Sequence, residues 1–317
     1  MKIKSISIAF TVLLSLVLIS PSIEASDIES SQTGSAEIIN CMPYTVEELN
    51  AIKASNNPGF IAGAGIVELG ISPTSTAGRD LLALGSKRES PKGVATAALI
   101  INQLNSGLSL KPFRDNIAQF LKDDKENALP YYANALLLME DGNRQESIAQ
   151  IYKGNAKQFN GYSKQRFHAI VEAGIKTDCT KVQIQRHALW QSFNTSLIFK
   201  ARKLCERLTE TNDPEAKKAC AAMGLNLERS SITLLDKLQS LGIQRIALKG
   251  LPDSESRLKE IKSRREKVMN CVGRVWLKAE DVTEEADLKY DKIFLDSGEC
   301  AALEFLADYA KRINKKH

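Results

Sequence analysis

Apolar residues recur every three or four positions along the C-terminal half of this 317-residue chain, and this spacing limits the possible folds more than any other feature. Residues three or four apart share one face of an α-helix, so each apolar stripe must be covered by a neighbouring helix. No run of alternating β-branched residues competes with the pattern. The first stripe consists of Leu189, Phe193, Leu197, Ala201, Leu204 and Leu208.

The same spacing continues in later segments that are joined by short connections. We expect the second helix to end at Gly242, and further helices to follow Pro252, to span residues 281–296 and to follow Gly298. Short connections place consecutive helices antiparallel to each other. The sequence therefore predicts an all-α fold, built as an array of antiparallel helical hairpins. The second stripe consists of Ala216, Cys220, Met223, Leu227, Leu234, Leu238 and Leu241.

Residues 1–25 have the organisation of an export signal peptide. Lys2 and Lys4 precede the apolar run Ile6–Ile19, and the small residue Ala25 offers a cleavage position. The run is shorter than the roughly 20 residues that cross a bilayer as a stable helix. We therefore expect a periplasmic or secreted protein, with an uncleaved anchor as the alternative, and no integral membrane span after cleavage.

Composition divides the rest of the chain into four segments. Residues 26–44 are rich in Ser, Glu and Gln and predict a flexible leader. Residues 45–126 predict an irregular helical segment, which begins with a capping box at Thr45-Val46-Glu47-Glu48. Residues 127–180 predict a helical hairpin region, and residues 181–317 predict a C-terminal helical bundle.

Residues 128–160 contain the clearest single hairpin. The arrangement of Ala135, Gly142, Ser147, Ile151 and Gly154 resembles one tetratricopeptide repeat, a helical hairpin of about 34 residues. The family usually has alanine where Ser147 and Gly154 stand. The alternative is an unrelated helical hairpin with the same packing, so the fold is either an array similar to this family or an irregular helical bundle.

The resemblance also implies a candidate partner groove. Tyr132, Leu136 and Met139 match groove-lining positions in the first helix of the family. The alternative is that all three residues belong to the core.

The cysteines predict a disulfide-braced protein, because an even number in an exported chain favours pairing. Buried reduced thiols are the alternative. Cys41 and Cys179 pair only by elimination, once the other four are assigned. The six cysteines, all beyond the predicted signal peptide, are Cys41, Cys179, Cys205, Cys220, Cys271 and Cys300.

Two of these pairs follow from the predicted helices. Cys205 and Cys220 flank the corner Asn212-Asp213-Pro214. If the two helices are antiparallel, the two sulfur atoms lie at similar positions along the helix axes. Cys271 and Cys300 flank a single intervening helix. We therefore predict disulfides Cys205–Cys220 and Cys271–Cys300.

No motif predicts a catalytic, cofactor-binding or metal site. The segment Gly63-Ala64-Gly65 has two glycines of a dinucleotide-binding turn, but the third glycine and the β-α-β context are absent from the sequence. We interpret it as a flexible turn or as glycines that pack between helices. His168 and His187 lack a carboxylate at ligand or relay spacing, which favours structural or exposed roles, and no Cys-x-x-Cys pair predicts zinc.

The charge pattern gives little indication of a charged partner. A net charge of +5 is too small an excess to predict nucleic-acid binding. Glu260 and Glu266 interrupt a basic cluster, which favours a solvated helix face over the alternative, contact with an anionic surface. The cluster consists of Lys259, Lys262, Arg264, Arg265 and Lys267.

Together these patterns predict a non-catalytic protein-binding or scaffold protein of the bacterial cell envelope, because helical hairpin arrays usually hold a protein or peptide partner. The alternatives are an envelope enzyme, such as a cell-wall hydrolase with scattered carboxylates, and a secreted effector. A deep polar cleft with two carboxylates would favour the enzyme, and a shallow apolar groove would favour the binding protein.

Overall fold

The computed structural model describes residues 42–106, 110–252, 254–272 and 283–314. The predicted signal peptide lies outside the described residues. The helices are, in chain order, α1 (Val46–Ala54), α2 (Pro58–Ile71), α3 (Thr76–Arg88), α4 (Val94–Ser106), α5 (Leu110–Asp123), α6 (Leu129–Glu140), α7 (Arg144–Asn155), α8 (Ser163–Gly174), α9 (Lys181–Gln191), α10 (Thr195–Thr209), α11 (Pro214–Ser230), α12 (Leu234–Leu248), α13 (Glu255–Val272), α14 (Glu284–Ser297) and α15 (Glu299–Asn314).

The predicted all-α fold is confirmed. Within the described ranges the sole β-type pairing is an isolated bridge between Asn127 and Gln158. Consecutive helices pack against each other, as in α2–α3, α6–α7, α11–α12 and α14–α15. However, α2 also packs against α8, and α9 packs against α14. These contacts join distant parts of the chain, which a one-dimensional repeat array does not do. The resemblance of residues 128–160 to one tetratricopeptide repeat stays a prediction.

Local capping signals position several helices as expected. The Thr45 hydroxyl accepts a hydrogen bond from the Glu48 amide at 3.2 Å, and the Glu48 carboxylate accepts one from the Thr45 amide at 2.7 Å. Pro214 is the first residue of α11, where its missing amide proton costs nothing. Asp213 caps that helix by accepting from the Glu215 amide at 2.9 Å.

The segment around Gly63 and Gly65 is helical and belongs to α2, which is buried on almost every side. A Cβ atom on Gly65 would lie 2.8 Å from the carbonyl oxygen of Gly78 on α3. Glycine is therefore needed for the close approach of these helices. Of the two interpretations, the packing glycines are confirmed, and the flexible turn is wrong.

The two longest predicted helices are each divided by a short polar corner. The first stripe breaks at residues 192–194, between α9 and α10, and Asn194 is the N-terminal cap of α10. The second breaks before Thr233, whose hydroxyl accepts from the Asp236 amide at 2.9 Å and starts α12. Gly242 does not end this helix, which continues to Leu248.

The apolar side chains form two cores. The first core is built by α4–α7 and α10–α13, and the second by α1–α4, α8, α9, α14 and α15. The two cores meet along α4, where Ala97 and Ile100 face the first and Ala95 and Leu99 face the second. The second core thus joins the beginning and the end of the described chain.

The cysteine predictions have different outcomes. The disulfide Cys271–Cys300 is confirmed and ties the end of α13 to the start of α15, with the two Cα atoms 5.4 Å apart. Cys205 and Cys220 do approach each other between α10 and α11, but they are buried free thiols that share a hydrogen bond. The predicted disulfide between them is therefore not formed, and burial raises the pKa of the Cys205 thiol. Cys179 is disulfide-bonded, whereas Cys41 lies outside the described residues.

Candidate functional site

Three large apolar side chains are well exposed, two near the start of the described chain and one after α8. Met42, Val46 and Ile175 are each 68% exposed. We call these three residues the apolar edge. Single exposed apolar residues are ordinary on protein surfaces, whereas a group of them marks an interaction site.

Two hydrogen bonds hold the segment next to Met42 and Val46 against the segment that carries Ile175. The Met42 amide donates to Asp178 Oδ1 at 2.8 Å, and the Tyr44 hydroxyl donates to the carbonyl oxygen of Ala173 at 2.9 Å. These bonds hold the segment before α1 against the corner between α8 and α9, which carries Ile175. Tyr44 is buried, so the prediction of a flexible leader that extends to residue 44 is wrong at this residue.

The corner between α8 and α9 is itself well bonded. The Ile175 amide donates to the carbonyl oxygen of Val171 at 3.2 Å, and Cys179 is disulfide-bonded. Thr180 and Gln183 form a capping box that starts α9. Ile175 is therefore presented on a fixed backbone, and covering it needs little ordering of the chain.

The candidate groove of the tetratricopeptide resemblance is partly overturned. Tyr132 is only 1% exposed, and its hydroxyl accepts from Asn226 Nδ2 at 2.8 Å and donates to Asn155 Oδ1 at 3.0 Å. This side chain belongs to the core, because α7 and α11 close over it. Leu136 and Met139 are partly buried against the same core. A groove role for these two residues stays a prediction.

The core contains a buried cation that no sequence pattern predicts. Arg166 on α8 is almost fully buried, and burial lowers its pKa to about 9. Its contacts close the C-terminal end of α9, where backbone carbonyl groups lack helical partners. No local sequence signal predicts this, because most of its acceptors are backbone oxygens. The guanidinium donates to the carbonyl oxygens of Gly161, Gln191, Ser192 and Phe193 and to Asn194 Oδ1.

Two buried carboxylates lie at helix N-termini, and the charge of Arg166 acts on one of them, Asp236. Asp236 Oδ1 accepts from the Thr195 hydroxyl at 2.8 Å, in the first turn of α10, and burial raises its pKa to about 6. Glu299 Oε2 accepts from the Leu234 amide at 2.6 Å, at the start of α12. Burial raises the pKa of Glu299 to about 7, and the Asp236 charge adds to the rise. Both carboxylates complete helix ends, which is a structural role.

A pair of acidic residues, Asp287 and Asp291, lies nearer the surface, between α9 and α14. Arg186 forms an ion pair with Asp287, and Asp291 follows one turn later on α14. Burial raises the pKa of Asp291 to about 7, and the neighbouring Asp287 charge contributes to the rise while Arg186 opposes it. A carboxyl group with a raised pKa beside a second carboxyl group is an arrangement that acid–base enzymes use.

Among the described residues, His187 and His168 occupy the structural and exposed positions that the sequence predicts. His187 is buried with Nε2 3.3 Å from the carbonyl oxygen of Ile66, and burial lowers its pKa to about 4. A Cβ atom on Gly70 would lie 2.5 Å from the same nitrogen, so the ring fills the space that this glycine leaves. His168 is exposed and lies beside the ring of Phe167. His187 is therefore neutral at pH 7.

The basic cluster on α13 is mixed with acidic residues. Arg264 pairs with Glu228 on α11 at 2.7 Å, and Lys259 pairs with Glu255 at 3.7 Å. Glu266 is exposed among the other cations. This distribution fits a solvated face better than a surface for an anionic partner, and exposed pairs of this kind contribute little to stability.

The described residues also bear on metal binding and on membrane insertion. Within these ranges, no group of three or more His, Cys, Asp or Glu side chains is placed to hold a metal ion. In the same ranges, no helix combines the length and the apolarity needed to cross a membrane. No family model matches the chain, and no curated protein or solved structure matches it.

Proposed function

We propose that this chain is an exported, non-catalytic protein-binding or scaffold protein of the bacterial cell envelope, periplasmic or secreted. The observation that carries the proposal is the apolar edge, Met42, Val46 and Ile175, exposed on backbone that hydrogen bonds hold in place. Export rests on the signal-peptide pattern of residues 1–25. The partner is a protein or peptide that covers the edge with apolar side chains.

The size of the edge limits how the partner binds. Burying three side chains of this kind contributes on the order of 5 kcal/mol before the entropic cost of association is subtracted. That gain is too small for a stable complex by itself. The edge is therefore the apolar centre of a larger contact whose surroundings are polar.

The placement of the ionisable groups supports a non-catalytic role. Arg166, Asp236 and Glu299 are buried, and hydrogen bonds to helix ends occupy them. Buried groups whose hydrogen bonds are made within the protein are not accessible to a substrate. The exposed apolar surface is thus a better candidate for function than the buried charges.

Site-specific cross-linking tests the proposal. A photo-reactive amino acid placed at Val46 or at Ile175 is expected to give adducts with the same protein in intact cells. The matched control is the exposed Lys218 on α11, which is expected to give none of that adduct. Different proteins from the two edge positions, or equal labelling from Lys218, would contradict the proposal. Recovery from the periplasm or from the medium distinguishes an envelope protein from a secreted effector.

The second candidate function is an envelope enzyme such as a cell-wall hydrolase, and one observation favours it. Asp287 and Asp291 lie one turn apart beside Arg186, and the raised pKa of Asp291 suits a general acid. Release of fragments from cell-wall polymer by the purified protein, abolished in Asp291→Asn, would support this function. No release by the folded wild-type protein would exclude it for that polymer.

A further inference from the structure

A polar contact joins the hairpin of α14 and α15 to the body of the protein. Glu299 is the first residue of α15, and its carboxylate accepts from the Leu234 amide at 2.6 Å. Its own amide donates to the carbonyl oxygen of Ile232 at 2.9 Å. Gly298 has a φ of +86° and makes the turn that directs Glu299 toward the connection between α11 and α12. Side chain and backbone of one residue thus hold the hairpin in place.

Of the charges that act on Glu299, the negative charge of Asp236 has the larger effect. Asp236 on α12 is a second buried carboxylate whose charge acts on Glu299, and Lys237 on the same helix opposes it. The Glu299 charge also acts on Tyr290 of α14, and the Arg166 charge on α8 acts on Asp236. Two buried acids therefore share an environment in which water does not screen their repulsion.

We propose that the α14–α15 hairpin is a proton-dependent latch, which docks tightly on α12 when the pair Glu299–Asp236 takes up a proton and loosens when that proton leaves. A protonated Glu299 still has a carbonyl oxygen that accepts from the Leu234 amide. Protonation removes one of two facing negative charges without breaking this hydrogen bond. The acidic form is therefore the better docked one.

The direction of the pH effect follows from the two proton affinities. Burial raises the pKa of Glu299 from 4.5 to about 7 and that of Asp236 from 3.8 to about 6. The docked hairpin thus binds more protons than the released one between about pH 4.5 and pH 7. Docking is strongest below this window and weakens progressively as pH rises through it. If one proton is involved, the equilibrium constant for docking falls by up to about tenfold per pH unit.

Other contacts keep a loosened hairpin attached. The disulfide Cys271–Cys300 ties the first turn of α15 to α13. On α14, Asp287 pairs with Arg186, and Asp296 pairs with Lys164 of α8 at 3.1 Å. The latch therefore changes how firmly the hairpin packs and leaves it tethered. The latch involves only residues of this chain and no partner protein. Its test is therefore independent of the proposed function.

Hydrogen exchange of the full chain between pH 5 and pH 7.5, corrected for the intrinsic exchange rate, tests the latch. We expect protection of the amides of residues 284–314 to fall by at least about tenfold over this range, relative to α6 and α7. Glu299→Gln keeps an acceptor for the Leu234 amide but cannot titrate, and it is expected to flatten the dependence. Glu285→Gln makes the same charge change at an exposed position of α14 and is expected to behave as wild type.

Two results would overturn the latch: protection of the hairpin that does not change with pH, or a Glu299→Gln protein that keeps the full dependence. If circular dichroism shows that Glu299→Gln does not fold, the carboxyl carbon resonance of Glu299 in the wild-type protein is titrated instead. A midpoint above pH 6 supports the latch. A midpoint near that of a solvent-exposed glutamate contradicts it.

Discussion

A Cβ atom on Gly63 would lie 2.5 Å from the carbonyl carbon of Ala169, so α2 and α8 touch backbone to backbone. This contact joins a helix near the start of the described chain to one about a hundred residues later. It lies in the second core, where α2 is also enclosed by α3 and α4. The packing of the N-terminal helices therefore depends on a residue without a side chain.

Gly63→Ala is expected to destabilise the protein by about 2–3 kcal/mol, because the added methyl group must push two backbones apart. The matched control is Gly242→Ala within α12, where the nearest neighbour of the new Cβ would be the Arg202 side chain at 3.8 Å. That change is expected to stabilise by about 0.5–1 kcal/mol, because alanine favours helix. Urea unfolding followed by circular dichroism measures both, and equal effects would contradict the packing role.

Removal of the disulfide between α13 and α15 is expected to lower stability by about 3–4 kcal/mol, because a bridge over 29 residues restricts the unfolded chain. The variant is Cys271→Ser combined with Cys300→Ser, compared with wild type by urea unfolding under non-reducing conditions. An unchanged midpoint would show that the bridge does not form.

Tyr132→Phe is expected to destabilise by about 1–2 kcal/mol, because the half-buried Asn155 amide oxygen loses its hydroxyl donor. Tyr131→Phe is the control, since the Tyr131 hydroxyl makes an exposed hydrogen bond with the Lys125 carbonyl oxygen at 3.3 Å. It is expected to change stability by less than about 0.5 kcal/mol. If Tyr132→Phe were equally neutral, the assignment of Tyr132 to the core would fail.

Asp291→Asn is expected to stabilise the protein more at pH 8 than at pH 5, by a difference on the order of 2 kcal/mol. The folded pKa of about 7 lies above the ordinary value of 3.8, so the stability contribution of Asp291 is lost as pH rises from about 4 to 7. The buried His187 has the opposite effect, because it lowers stability as pH falls from 6.5 toward 4. Comparing the variant with wild type at the same pH cancels this contribution.

The control for this prediction is Asp296→Asn on the same helix. Asp296 forms an exposed ion pair with Lys164, and such pairs contribute little to the free energy of unfolding. Urea midpoints at pH 5 and pH 8 measure both variants. A stabilisation by Asp291→Asn that is equal at the two pH values would contradict burial of a charge at this position.

Features that depend on residues close together in the chain could be predicted from the sequence. The capping box of Thr45 and Glu48 and the first-turn Pro214 are examples, because both act within one helical turn. The apolar stripes likewise predict helices, since each stripe needs only its own spacing. The break before Thr233 was missed, although Asp236 three residues later is a capping signal that marks a helix start.

Features that depend on distant segments could not be predicted in this way. Apart from Glu68, the helix α2 is apolar and has no amphipathic spacing, because its neighbours enclose it. Arg166 is buried because backbone oxygens of another corner receive its hydrogen bonds. The apolar edge brings Met42 to Ile175 through the contact between Met42 and Asp178, which no local pattern encodes. The candidate site was therefore visible only in the folded chain.

Co-purification from intact cells, combined with an assay for turnover of cell-wall polymer, tests the central claim most directly. We expect the wild-type protein and the control Lys218→Asp to recover the same protein partner. Ile175→Asp places a charge in the apolar edge and is expected to lose that partner while keeping its helical content. Loss of the partner without polymer turnover is the predicted result. Recovery of no protein partner together with turnover of the polymer would contradict the account.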